Sequence, residues 1–158
     1  VLVERDHGQS SVGGRESLGF APAVERHFAF LEHDGLCRTQ SEPTLVRYEG
    51  NGRYLEVFHG NRSFAVGARF GLIDDADARF SLPEVAYAFG GRYHEFVGRS
   101  KEAVDAAVKN LAAEVSLYPN MLNGAIPIDR IQEYRQRLTD YYAGKSKVNP
   151  DQQFRKLP

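Results

Sequence analysis

The chain reads as an α+β domain: an antiparallel meander of three to four strands, with one helix before it and three after it. Three observations predict this. The stretch Thr44 to Phe70, TLVRYEGNGRYLEVFHGNRSFAVGARF, holds β-rich segments separated by Asn51-Gly52 and Gly60-Asn61, pairs that tolerate the positive φ of hairpin turns. Helical periodicity appears outside that stretch, once before it and repeatedly after it. Clustered strands and clustered helices describe α+β rather than alternating βαβ units.

Reading both turns as two-residue hairpins fixes the register. Tyr48 then faces Leu55, Val46 faces Val57 and Thr44 faces His59. In the second hairpin Val57 faces Phe64, Leu55 faces Val66, Arg53 faces Ala68 and His59 faces Arg62. One face becomes Val46, Tyr48, Leu55, Val57, Phe64, Val66 and Phe70, which is a core face. The other becomes Leu45, Arg47, Glu49, Tyr54, Glu56, Phe58, Ser63, Ala65 and Arg69. Arg47 falls opposite Glu56, and Leu45 opposite Phe58. A one-residue slip at either turn would scramble both faces.

The remaining elements follow in order. Residues 1–18 are polar and Gly/Ser-rich, predicting a flexible arm ahead of a single globular domain over 19–144. A helix is expected from Pro22 to His33, with Val24, Phe28 and Leu31 inward and Gly35 just past its end. Leu36 to Gln40 reads as a short strand, beside the Thr44 strand or on the sheet edge. Ile73 to Phe80 reads as a polar loop. Ser81 and Glu84 have capping-box spacing and open a short helix to Phe89.

The segment Arg92 to Arg99 shows no sustained period. Ser100 caps the clearest helix, Lys101 to Leu117, with Val104, Ala107, Val108, Leu111 and Val115 as its stripe. Met121 to Ile126 is an apolar loop. A last helix runs from Ile128 to Tyr142, with Ile128, Ile131, Tyr134, Leu138 and Tyr141 inward, and 145–158 form a frayed tail. Four helices are many for one small face, so a helix over the second face is an alternative left open.

The composition bounds the function. At 158 residues, 42% hydrophobic and 26% charged, the chain has the make-up of one ordinary globular domain. A net charge of −1 argues against a generic nucleic-acid coat. The one cysteine, Cys37, excludes an internal disulfide and suits a cytoplasmic setting. No apolar run approaches the ~20 residues of a membrane helix.

Between Phe28 and Phe89 the run FLEHDGLCRTQ, TLVRYEG, YLEVFHGNRSFAVGARFG and SLPEVAYAF resembles a group of small uncharacterised bacterial proteins. These are built as "FLexxGF", "xVRYES", "V.V.HdxRSyEv…iG" and "YSLxEv". They occur among domains of unknown function, and some resemble immunity or accessory proteins of bacterial toxin systems. The resemblance implies a cytoplasmic binding protein and carries over no catalytic residue. Leu36 stands where the pattern has an aromatic.

Several groups are candidates for chemistry. His59, ending the second strand, is a candidate general acid or base. Tyr93-His94-Glu95 forms the densest titratable cluster in a loop. Cys37 with His33 or His59 would make a nucleophile–base pair if folding joined them. His27 and His33 are spaced to point apart around a helix. Asp74, Asp75 and Asp77 lack the rest of a calcium loop, and no cofactor or metal motif is present. The inventory leans away from an enzyme, with a small hydrolase using His94 or His59 with Glu95 or a loop aspartate as the alternative.

The second sheet face is the richer feature. Arg47, Tyr54, Phe58 and Arg69 would lie together there, the residue types of a protein hot spot or of base stacking. Glu49 and Glu56 oppose phosphate and tilt the expectation toward a protein partner. The expected function is therefore non-catalytic protein binding, with single-stranded nucleic acid third in order. A homodimer through a sheet edge is compatible with each reading.

Overall fold

One loop of five residues, where a two-residue turn was expected, sets the register of half the sheet. A computed structural model describes residues 12–124 and 127–153 of the chain. Strands β1 (Cys37–Glu42), β2 (Leu45–Gly50), β3 (Arg53–His59), β4 (Ala65–Leu72) and β5 (Asp75–Ser81) lie side by side in chain order, all antiparallel. A two-residue strand, β6 (Phe96–Val97), pairs with the start of β4. The sheet is an α+β meander as expected, but with more strands than the three or four read from sequence.

The first hairpin has the expected register, with Tyr48 opposite Leu55 and Val46 opposite Val57. Asn51 and Gly52 take φ of 52° and 75°, the double positive φ of a type I′ turn. The second hairpin corrects the expectation. Val57 faces Ala68 rather than Phe64, a slip of four residues along β4, and His59 faces Val66 rather than Arg62. Residues 60–64 close as a loop in which the Phe64 N–H donates to the Gly60 carbonyl at 3.1 Å. Phe64 itself sits at φ 56°, a left-handed conformation costly for a bulky residue. Its ring is held by guanidinium groups of Arg15 and Arg99, 3.9 and 5.0 Å from the ring centroid. Because the slip is even, each side chain of β4 keeps its face, and Val66, Ala68 and Phe70 remain buried.

Asp75–Ser81, expected as loop, is the fifth strand. Ala78 and Phe80 point into the core while Arg79 points out, an alternation that the aspartates disguise. The first helix is also two: α2 (Phe20–His27) and α3 (Phe30–His33), preceded by a short α1 (Val12–Glu16). The helix tightens at Phe28, where the Leu31 N–H donates to the Phe28 carbonyl at 3.0 Å, and both side chains are fully buried. Residues 1–11 of the expected arm lie outside the described residues. Arg15 of α1 donates to the Asn61 carbonyl.

After the sheet come α4 (Leu82–Ala88), α5 (Lys101–Val115), α6 (Pro119–Leu122), α7 (Ile128–Tyr142) and α8 (Pro150–Gln153). So α6 and α8 add turns of helix where a loop and a tail were expected. The Ser81–Glu84 capping box forms, with the Ser81 N–H donating to Glu84 Oε2 at 2.8 Å. Buried residues of α2 to α7 join Val46, Tyr48, Leu55, Val57, Val66, Ala68, Phe70, Ala78 and Phe80 in one apolar cluster. The helices thus pack on a single face of the sheet.

Arg53 departs from that apolar pattern. It opens β3 on the core side, only 1% exposed, and among the described residues its Nε and Nη1 have no hydrogen-bond partner. Its Nη2 makes one long bond to the Asp34 carbonyl, 3.5 Å. Burial pulls its pKa below the ordinary arginine value, and the Asp34 charge opposes that shift. Unmade buried bonds cost about 1–3 kcal/mol. Arg53→Met, which keeps the aliphatic stem, is expected to leave the urea midpoint unchanged or raise it. A loss beyond about 1 kcal/mol would mean that the guanidinium is well partnered.

Candidate functional site: the open face of the sheet

Alternation along each strand sets three cross-strand rows on the face turned away from the helices. Arg47, Glu56 and Arg69 form the middle row across β2, β3 and β4. Glu49, Tyr54, Gly71 and Arg79 form a second, extending to β5. Leu45, Phe58 and Gly67 form the third. The six residues predicted for this patch, Arg47, Glu49, Tyr54, Glu56, Phe58 and Arg69, do lie together. Arg79, which the loop reading of β5 hid, joins them. None of the apolar side chains here belongs to the buried cluster.

Glu56 is the hub, its side chain 11% exposed. Arg47 donates from Nη1 to Glu56 Oε1 at 2.9 Å and from Nε to Glu49 Oε1 at 2.6 Å. Arg69 Nη2 and Arg79 Nη2 lie 3.2 and 3.6 Å from Glu56 Oε2. Burial would lower the Arg47 pKa, but its bonds to Glu49 and Glu56 outweigh that and raise it. It stays charged.

The rings are seated by glycine. A Cβ at Gly71 would overlap the Tyr54 ring, and one at Gly67 would come within 2.5 Å of the Phe58 Cζ, a distance no real contact shows. The absent side chains let each ring drop onto the neighbouring strand. On the outer side of the rings, the Arg47 guanidinium stacks 4.0 Å from the Tyr54 centroid and that of Arg69 4.8 Å from Phe58.

The other candidate residues are placed differently. His59 is buried, stacked on Phe20 at 5.5 Å. Its Nε2 is 2.8 Å from the Gly98 carbonyl and its Nδ1 is 3.3 Å from Arg15 Nη1. A neutral ring protonated on Nε2 satisfies both contacts. Burial is the main cause lowering its pKa, with the Arg15 charge adding to it and the Gly98 bond opposing. His94 and Glu95 are exposed just before β6, while Tyr93 is half-buried, its phenol pushed up to about 12 by burial.

Cys37 is exposed on β1 opposite Glu49, at the far end of the sheet from His59. Asp75 accepts the Asp77 N–H at 3.0 Å. Among the described residues, no group of three or more His, Cys, Asp or Glu side chains is placed to hold a metal ion, and no helix is long and apolar enough to cross a membrane.

One further cluster joins residues that no sequence spacing connects. Arg26 and His27 of α2 meet Asp105 of α5 at 2.8 and 3.0 Å, beside an open cleft of about 780 Å³ that Glu16, Lys101 and Glu102 also line. Acids and bases are interleaved there, which suits a tie between helices.

No family model matches the chain, and neither the curated proteins nor the solved structures contain a match to it.

The ring-on-glycine fit makes a measurable demand. Gly71→Ala is expected to destabilise by about 1–3 kcal/mol, against the usual small gain of alanine over glycine in a strand. In a Tyr54→Ala background the same change should cost little or stabilise, as read from urea unfolding. Equal costs in both backgrounds would mean that the ring does not occupy the glycine site.

Proposed function

We propose that this chain is a non-catalytic protein-binding domain that engages its partner through the open face of the sheet. The observation that supports it most is the Tyr54–Phe58 pair, fixed over glycines with arginines stacked on it, outside the apolar core. Rigid aromatics beside arginine are what interface hot spots are made of. They lose little conformational freedom on binding because their rotamers are already fixed.

The chemistry elsewhere supports the same choice. His59, with both ring nitrogens engaged, has no free lone pair to offer a substrate. Glu49 and Glu56 disfavour a nucleic-acid backbone on the same face. The resemblance over Phe28 to Phe89 suggests the finer role, an immunity-like or accessory factor of a bacterial toxin system acting in the cytoplasm. Pairing of two copies along the exposed β1 edge is compatible with it, although the register shift between Arg38 and Gln40 marks a bulge that discourages edge-to-edge pairing.

The test is affinity capture from native lysate followed by reconstitution with the purified candidate, comparing wild type with Arg47→Glu. Circular dichroism first verifies that the variant folds. The expected result is a stoichiometric protein that binds wild type in purified form and loses affinity about tenfold or more with the variant. A purified partner that binds both equally places the interface elsewhere.

A further inference from the structure

The open face carries more guanidinium than it can satisfy. Arg47 takes Oε1 of Glu49 and Oε1 of Glu56 at hydrogen-bond distance. That leaves Glu56 Oε2 facing two further arginines, Arg69 at 3.2 Å and Arg79 at 3.6 Å. Neither contact is an aligned hydrogen bond: among the described residues Glu56 Oε2 has no hydrogen-bond partner, and neither has the buried Nε of Arg69. The Arg79 side chain is 50% exposed and that of Arg69 33%. Within this ion-paired network three cations stand against two anions, and the surplus lies at the β4–β5 side; Glu42, opposite Leu45, shares the face but takes its hydrogen bond from Gln40.

Resting on the reading of this face as a protein interface, we propose that Arg69 and Arg79 form the receptor for a side-chain or C-terminal carboxylate of an acidic protein partner. A planar monoanion matches the guanidinium fork and accepts two parallel bonds. It would also restore the charge balance that one shared oxygen leaves incomplete. The flat Phe58 ring and Leu45 in the adjoining row offer an apolar landing next to that anion. A phosphomonoester fits less well, because its second charge would sit beside Glu56 and Glu49; a phosphodiester is a monoanion too, so the oligothymidylate titration separates it from a carboxylate. Chain-wide attraction plays no part, since the net charge is −1; the recognition is local.

The probes are decaglutamate, decalysine and deca-deoxythymidylate, titrated into ¹⁵N-labelled full-length protein while the arginine Nε–H resonances are followed by NMR. The expected result is that decaglutamate shifts Arg69 and Arg79. Its affinity should fall about tenfold in an Arg69→Gln/Arg79→Gln variant, and decalysine should leave both resonances unmoved. Equal or tighter binding of deca-deoxythymidylate at the same residues would overturn the carboxylate assignment in favour of phosphate. Decaglutamate leaving Arg69 and Arg79 unshifted would also overturn it. A reconstituted partner lost with Arg47→Glu but retained with Arg69→Gln/Arg79→Gln would overturn this inference while leaving the protein-binding reading in place.

Discussion

Glu56 stands in the central strand with guanidinium groups from three other strands gathered on its two oxygens. A carboxylate so nearly covered is costly unless charged donors surround it. Here Arg47 on β2, Arg69 on β4 and Arg79 on β5 supply them, so one ionised group ties four strands together on a face with no apolar core of its own. The same arrangement explains why the helices gather on the opposite side. An apolar helix laid over this network would strip water from five charges whose pairing is already incomplete.

The aromatic rings complete the surface. Tyr54 and Phe58 fill the places that Gly71 and Gly67 leave vacant, so the face is paved with ring below and guanidinium above. Tyrosine and phenylalanine left upright on a bare sheet would be an aggregation hazard. Packed on glycine and stacked with arginine, both rings stay half-buried. On the core side β3 follows a related logic. Leu55 and Val57 occupy the apolar centre, while Arg53 and His59 occupy the two ends, where loop carbonyls of Asp34 and Gly98 come within reach.

What could be read from sequence was local. The Asn51-Gly52 turn, the Ser81 capping box and the stripe of α5 each depend on a few adjacent residues, and each formed where expected. The two faces of β4 were also legible despite a wrong loop, because strand parity survives an even slip. The loop itself was not legible: Gly60-Asn61 is an ordinary turn signal, and Phe64 holds its left-handed backbone through Arg15 and Arg99, both distant in sequence. Strand β5 was hidden by aspartates that lower β-propensity without preventing pairing. The join of Arg26 and His27 with Asp105, and the meeting of Arg79 with Glu56, depend on helix and strand packing that no spacing encodes.

The organising role of Glu56 is open to a direct spectroscopic measurement. Guanidinium groups stacked on rings have Nε–H resonances displaced by ring currents, so those of Arg47 and Arg69 should be displaced in the wild-type protein. In Glu56→Gln both are expected to move together toward random-coil positions, while the methyl resonances of Leu55 and Val57 in the core hold their places. If the Arg47 and Arg69 resonances keep their positions in that variant, the rings and glycines order the face without the carboxylate, and Glu56 is not its organiser.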